Sequence, residues 1–178
     1  AYEYSHSLGR NELTGNGFTN PVDIAINDSG VTYVVNRSVP EFLPYGVHVT
    51  VLTLDEEYIT EFSSYGEAEG QLMWPTSLAL DTQGNIYVAD EGMNRISICA
   101  KDGEFLRSWG KAGSGDGELD RPAGITISSD GTMFVTDSRN HRVQKFSLDG
   151  QFKGKFGSFG DGPGQFNLPW GIGLDKEG

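Results

Sequence analysis

The chain has 178 residues, 25 of them acidic and 13 basic, and its formal net charge is −12. This balance argues against a nucleic-acid partner, because phosphate binding requires a basic surface. A single cysteine excludes an internal disulfide, and no apolar run is long enough to predict a membrane span.

A repeated string that begins at a proline divides the chain into units. Copies start at Pro21, Pro75, Pro122 and Pro169, with spacings of 54, 47 and 47 residues. A period in this range is typical of stacked repeats that cannot bury their faces alone.

The repeat predicts the organisation of the chain in order. Residues 1–9 are predicted to be the last strand of a preceding unit, because Leu8-Gly9 lies 13 residues before Pro21 just as Trp109-Gly110 lies 13 before Pro122. Complete units are predicted over residues 21–62, 75–109 and 122–156. Residues 169–178 are expected to supply the first strand of the next unit.

The unit that starts at Pro75 predicts four short antiparallel strands, near residues 76–81, 86–90, 95–99 and 104–109. Runs rich in β-branched and aromatic residues alternate with Asn/Gly and Asp/Gly turns. No window shows a sustained helical period of apolar residues. The sequence therefore predicts an all-β chain.

Four antiparallel strands in a unit of about 45 residues form the blade of a β-propeller. The motif resembles the NHL repeat, because Asn140-His141-Arg142-Val143 stands where the family has its Asn-His-Leu triplet and Asn94-Arg95-Ile96 is a second copy. The Pro-x-Gly-Ile start of the unit and its Tyr-Val-Ala-Asp second strand also resemble that family. The resemblance covers nearly the whole chain.

This resemblance implies a six-bladed ring, of which the chain holds about three complete blades and partial terminal blades. We interpret it as a fragment of a longer protein, and the alternative is that a second chain supplies the remaining blades. An open arc leaves blade faces unpacked and sheet edges unpaired, so the isolated chain is expected to be unstable or to self-associate.

Residues that recur at matched positions are predicted to be structural. Asp90 and Asp137 end the second strands, and each is followed five residues later by an arginine that is expected to pair with it. Cys99 aligns with Phe146 and is expected to be a buried apolar residue rather than a nucleophile. The aromatic residues of the fourth strands are predicted to be core residues: Phe62, Trp109 and Phe156.

The three histidines occupy different positions in their repeats, so no ring of equivalent metal ligands is predicted. Amidating lyases of this fold place zinc-binding histidines just after the proline of the blade. In this chain the corresponding residues are Val22, Thr76, Ala123 and Trp170, none of which is a good zinc ligand. No cofactor is therefore evident, and a calcium or zinc site would have to lie in blades outside this sequence.

Candidate ligand contacts lie where the repeat is broken. The segment 37–46 carries the seven extra residues that lengthen the first spacing from 47 to 54. Other large side chains stand at the entrances of the first strands, which should lie near the mouth of the central channel. The candidates are Arg37, Phe42, Tyr45, Trp74, Arg121 and Trp170.

These features favour a binding module whose loop face engages a protein, a peptide or a small sugar-like ligand. The alternative is a metal-dependent lyase or lactonase, of the amidating-lyase or gluconolactonase kind, that acts in the central channel. Asp23 is the only acidic residue within the predicted first strands and has no counterpart in the other blades. An enzyme centre within these blades is therefore the less favoured reading.

Overall fold

The computed structural model describes residues 17–38 and 46–175 of the chain. Three four-stranded antiparallel sheets follow one another, each with its strands in sequence order. Blade 1 comprises β1 (Pro21–Ile26), β2 (Val31–Asn36), β3 (His48–Thr53) and β4 (Tyr58–Phe62). Blade 2 comprises β5 (Pro75–Leu80), β6 (Ile86–Asp90), β7 (Arg95–Cys99) and β8 (Phe105–Trp109). Blade 3 comprises β9 (Pro122–Ile127), β10 (Thr132–Asp137), β11 (Arg142–Ser147) and β12 (Phe152–Phe156).

This architecture confirms the prediction of an all-β propeller. The strands predicted for the second unit begin and end within one residue of those observed. Within the described ranges, the named elements include one short 3-10 helix, Ser138–Asn140, in the turn between β10 and β11. No helix in the described part of the chain has the length and apolar character needed to cross a bilayer.

The predictions for the two terminal segments have different outcomes. The strand predicted over residues 1–9 lies outside the described residues. Residues 169–175 follow blade 3 without forming a named strand, although the Thr136 hydroxyl donates a hydrogen bond to the Trp170 carbonyl over 2.9 Å. A strand requires a ladder of backbone hydrogen bonds, and the described residues provide no neighbouring strand for this segment.

The hydrophobic cores lie between the blades rather than within them. The innermost strands β1, β5 and β9 lie side by side on the inner side of the arc of blades and border one pocket. One cluster joins blades 1 and 2 and includes Tyr33, Val51, Leu78 and Val88. A second cluster joins blades 2 and 3 and includes Tyr87, Ile98, Met133 and Phe146. A single blade would leave one such face exposed, so neighbouring blades stabilise each other.

An aromatic residue that ends the fourth strand packs against a glycine in the next blade. A Cβ atom on Gly103 would lie 2.6 Å from the Phe62 ring, and one on Gly150 would lie 2.6 Å from the Trp109 ring. Both glycines also have left-handed backbone, with φ of 90° and 88°. Only glycine meets both demands without strain, so these hairpin turns are part of the interface between blades.

The prediction of a core role for the fourth-strand aromatic residues is correct for two of the three. Phe62 and Trp109 pack against the two clusters. Phe156 is 45% exposed, so its assignment to the core is wrong. Its equivalents pack on the hairpin glycine of the following blade, and no hairpin follows β12 within the described residues.

Candidate functional site

The strand ends at one side of the propeller form a single surface, which we call the loop face. The turns after β2, β6 and β10 meet the chain that enters β1, β5 and β9. In each blade, the N–H after the second strand donates to the carbonyl of the residue before the proline. The pairs are Arg37–Asn20 at 3.1 Å, Glu91–Trp74 at 3.1 Å and Ser138–Arg121 at 3.3 Å.

In each blade, a carboxylate or amide side chain at the end of the second strand accepts a hydrogen bond from the backbone that enters the first strand. The Asp90 carboxylate accepts the Met73 N–H over 2.7 Å, and the Asp137 carboxylate accepts the Asp120 N–H over 2.7 Å. In blade 1 the Asn36 amide oxygen accepts a backbone N–H from the equivalent residue over 2.9 Å. Asp90 also accepts the N–H groups of Gly92 and Met93 over 3.0 and 3.2 Å and so caps the turn after β6, whereas Asp137 makes no side-chain cap to the short helix that follows it.

The predicted pairing with arginine holds in blade 3 but not in blade 2. Asp137 accepts a hydrogen bond from Arg142 Nε over 2.7 Å, and the same guanidinium donates to the carbonyls of Ser114, Gly115 and Glu118. Arg95 donates to the Gln71 carbonyl over 2.7 Å instead. Both arginines thus fix the loop that enters their blade from the preceding one, which is a structural role.

The side chains of the Asn-His-Leu-like triplets connect each blade to the entrance of the next. Asn94 Oδ1 accepts the Arg121 N–H over 2.8 Å, and His141 Nδ1 accepts the Leu168 N–H over 3.1 Å. The two accepting residues have left-handed backbone, with φ of 52° and 53°. His141 is therefore a turn residue, as its position in the repeat predicted.

The residues before Pro122 and Pro169 combine a strained backbone with an exposed side chain. Arg121 has φ of 55° and Leu168 has φ of 52°, a conformation that is uncommon for large residues. Arg121 is exposed, and none of the ion pairs among the described residues includes it. Leu168 and Trp170 are each 55% exposed. These side chains point into solvent at the entrances of blade 3 and of the segment that follows it.

Arg37 and Trp74 contact each other at the junction of blades 1 and 2. The Arg37 guanidinium lies 4.2 Å from the centre of the Trp74 ring. Its Nη2 atom also pairs with Glu91 Oε1 at 3.1 Å, and the Glu91 side chain is only 5% exposed. Arg37 therefore neutralises a buried carboxylate of the next blade, a role that the sequence did not indicate. Phe42 and Tyr45 lie outside the described residues.

Among the described residues, the innermost strands β1, β5 and β9 contain one acidic side chain, Asp23. One of its oxygens accepts hydrogen bonds from Ser77 Oγ over 2.6 Å and from the Leu78 N–H over 2.9 Å. Ser77 Oγ accepts in turn from the Ile125 N–H over 3.2 Å. This chain of hydrogen bonds joins the innermost strands of all three blades. The acidic residue in an apolar strand was visible in the sequence, but its partners in other blades were not.

The channel wall beside Asp23 borders a cavity of about 300 Å³. In residues 17–38 and 46–175, no three His, Cys, Asp or Glu side chains converge as metal ligands. The Asp23 carboxylate is already engaged by three donors, since its second oxygen accepts the Ile24 N–H over 2.9 Å. These hydrogen bonds make Asp23 a structural link between the innermost strands.

Cys99 is expected to be unreactive while the chain is folded. It lies buried at the end of β7, and burial raises the pKa of its thiol to about 11. The nucleophilic thiolate is therefore scarce at neutral pH. We expect dithionitrobenzoate to label Cys99 quickly in urea and only slowly in buffer, as monitored by absorbance. Rapid labelling of the native chain would show that this position is open.

Comparison with protein families and solved structures agrees with this geometry. The NHL repeat model matches residues 72–99 and 119–146. Comparison with curated protein sequences gives no significant match. A catalytically inactive virginiamycin B lyase from Staphylococcus aureus, solved with quinupristin, has a TM-score of 0.63 at 18% identity over 89% of this chain and 47% of that chain.

Two other solved structures show the same fold in different settings. Hydrazine synthase of Kuenenia stuttgartiensis has a TM-score of 0.65 at 15% identity, over 100% of this chain and 44% of that one. A chain of the nidogen/laminin complex has a TM-score of 0.56 at 18% identity, over 80% and 49%. This chain thus spans about half the length of the structures it matches. The chain thus carries NHL repeats in blades 2 and 3, and its described strands form three blades of a β-propeller.

Proposed function

We propose that this propeller is a binding module whose loop face engages a protein or peptide. The main support is that the large side chains directly before Pro122 and Pro169 are exposed. The backbone of these two residues is also left-handed. Arg121 and Leu168 occupy a conformation in which glycine or asparagine would be less strained, at a difference of roughly 1–2 kcal/mol per residue. Strain of this kind is often found at recognition sites.

The contacts we assign to the ligand are Arg121 and Trp170, with Leu168 beside them. An exposed guanidinium can hold a carboxylate through two parallel hydrogen bonds, and an exposed indole supplies apolar area with one donor. Arg and Trp are also enriched among the residues that dominate binding energy at protein interfaces. A sugar-like ligand would use the same pair, with the indole against its apolar face.

Arg37 and Trp74 are less suitable as ligand contacts. The Arg37 guanidinium is held between the Trp74 ring and the buried Glu91 carboxylate. Removing either side chain would disturb the junction of blades 1 and 2, so a loss of binding would not distinguish a contact from a packing defect. The binding experiment therefore uses the other candidates.

Replacing Arg121 or Trp170 with alanine is expected to weaken peptide binding by about 1–3 kcal/mol each, in the range of interface anchors. Peptides would be selected from a displayed random library against the folded chain, and their Kd measured by fluorescence polarisation. Lys101→Ala and Tyr58→Ala serve as matched controls at the opposite end of the blades. Binding that survives R121A and W170A but is lost in either control would place the site on the opposite face.

A lyase remains the second candidate, because two observations favour it. The fold matches a virginiamycin B lyase, and the channel contains a cavity beside Asp23. Incubating the chain with quinupristin and separating the products by liquid chromatography tests this candidate directly. A new product that depends on this chain would favour the lyase, and unchanged quinupristin would remove that substrate class from consideration.

A further inference from the structure

The innermost strands of the three blades border the pocket beside Asp23, which we call the inner pocket. It has a volume of about 300 Å³ and is lined by residues of β1, β5 and β9 and by residues 170–172. Each of these strands is the end strand of its sheet, so one of its edges has no neighbour in that sheet. These free edges give the inner pocket a wall of backbone groups.

The N–H groups along the free edges already have acceptors. The Ile24 and Leu78 N–H groups donate to the Asp23 carboxylate over 2.9 Å, one to each of its oxygens. The Ile125 N–H donates to Ser77 Oγ over 3.2 Å, and the Ser77 hydroxyl donates to Asp23 over 2.6 Å. None of these three N–H groups is therefore available to a ligand.

The carbonyl groups of the same three residues lie on the same free edges. In a β-strand the N–H and C=O of one residue point to the same side, and here that side is away from the second strand of the blade. The carbonyl oxygens of Ile24, Leu78 and Ile125 therefore face the inner pocket. Carbonyl and carboxylate oxygens only accept hydrogen bonds. The wall of the inner pocket thus offers acceptors from all three blades.

The charge of Asp23 is not balanced by a basic group of the chain. Within residues 17–38 and 46–175, no ion pair includes Asp23, and none of the residues that line the inner pocket is basic. A concave site lined by charge of one sign attracts ligands of the opposite sign. Nine of its twelve lining residues are apolar or glycine, so the pocket also suits a ligand with an apolar part.

A primary ammonium group matches this arrangement better than a metal ion does. It carries one charge and three N–H donors, which suit one carboxylate and several neutral carbonyl oxygens. Calcium takes about 6–8 oxygen ligands, commonly from several carboxylates, and in the described ranges no three His, Cys, Asp or Glu side chains converge. The volume of about 300 Å³ is at the lower end for small-molecule sites, which indicates a small ligand.

We infer that the inner pocket binds a small primary amine, whose ammonium group lies against the Asp23 carboxylate and donates to the carbonyl oxygens that face the pocket. The hydrocarbon part of the amine packs on the apolar residues of the lining. Neither Arg121 nor Leu168 is among the described residues that line this pocket, so the inference goes beyond the peptide site and does not depend on it.

Three probes of similar shape and different charge test the inference on the 178-residue chain. They are phenethylamine, phenethyl alcohol and hydrocinnamate, each titrated at neutral pH and physiological salt into the isotope-labelled chain while backbone N–H signals are followed by NMR. We expect phenethylamine to shift the signals of Ile24, Leu78 and Ile125. It should bind about tenfold or more tightly than the alcohol, because hydrogen bonds to charged groups are stronger than neutral ones. Hydrocinnamate should not bind.

Asp23→Asn removes the charge and retains an oxygen that can accept from Ser77 and Leu78. It is expected to weaken phenethylamine binding about tenfold or more and to leave the affinity for the alcohol unchanged. Asp28→Asn is the matched control, because it removes the same charge from the exposed turn after β1, away from the lining of the inner pocket. The affinity of D28N for phenethylamine should equal that of the parent chain.

Three results would overturn the inference. Equal affinities for the amine and the alcohol would show that the pocket does not recognise the charge, and this comparison holds even where D23N fails to fold. Equal weakening in D23N and D28N would show that the net charge of −12, rather than Asp23, attracts the amine. Calcium chloride that shifts the same three N–H signals and displaces the amine at a lower concentration would make a metal ion the occupant.

Discussion

Replacing Asp137 with alanine is expected to lower the free energy of unfolding by about 3–5 kcal/mol, the range for removing one partner of a buried charge pair. Asp137 is fully buried, and its carboxylate accepts hydrogen bonds from the Asp120 N–H and from Arg142, Asn140 and Gln144. Its loss leaves the buried Arg142 guanidinium with only the exposed Asp116 carboxylate, at 4.0 Å, as an opposite charge. Urea unfolding monitored by circular dichroism measures the effect.

Asp116→Ala is the matched control for this substitution. Asp116 pairs with Lys155 and lies 4.0 Å from Arg142, but its side chain is 53% exposed. Exposed pairs contribute about 0–1 kcal/mol, so this variant should unfold nearly as the parent chain does. Equal effects of the two substitutions would show that the network around Asp137 does not hold the entrance of blade 3.

Replacing Trp109 with alanine is expected to lower the free energy of unfolding by about 3–5 kcal/mol, as for other large aromatic residues in cores. The Trp109 ring of blade 2 lies 4.8 Å from that of Phe146 and fits against Gly150, both of which belong to blade 3. Its removal would leave a cavity between blades 2 and 3. The loss should appear as a lower urea midpoint with nearly unchanged far-ultraviolet circular dichroism at zero denaturant.

Phe156→Ala tests whether the loss of stability in Trp109→Ala comes from the contacts between blades 2 and 3 or from the position of the residue in the repeat. Phe156 holds the same place in β12 but is 45% exposed. Its removal should cost well under half as much as that of Trp109, because less apolar surface is buried. A similar loss at both positions would mean that the fourth-strand aromatic residues stabilise their own blades. The position of the cores between blades would then need to be revised.

Local signals in the sequence were sufficient to predict the strands and their grouping. Alternating apolar residues and Asp-Gly or Asn-Gly turns act over a few residues, and a period of 47 repeats them in register. The structural roles of Asp90 and Asp137 were predictable for the same reason, since each recurring carboxylate accepts a backbone N–H from the equivalent residue of the entering chain. The assignment of Phe156 to the core failed because a repeated motif shows which position a residue holds but not whether a neighbouring blade covers it.

The sequence was sufficient to locate the candidate contacts on the loop face, but it could not distinguish exposed side chains from those that have a structural partner. Arg37 and Arg121 both break the repeat, yet one pairs with a buried carboxylate and the other is exposed. Their difference depends on Glu91, which lies 54 residues from Arg37 and meets it only when blades 1 and 2 stack.

The sequence by itself determined the all-β class, the blade boundaries around each proline and the roles of residues that act within one blade. Only the tertiary structure decided what happens where blades meet. It showed that Asp23 joins three blades through Ser77 and that Lys145 holds in blade 3 the position at which blades 1 and 2 bury Val51 and Ile98. The reason is physical: backbone ladders and turns are specified by neighbouring residues, whereas burial and charge pairing depend on side chains that are distant in the chain.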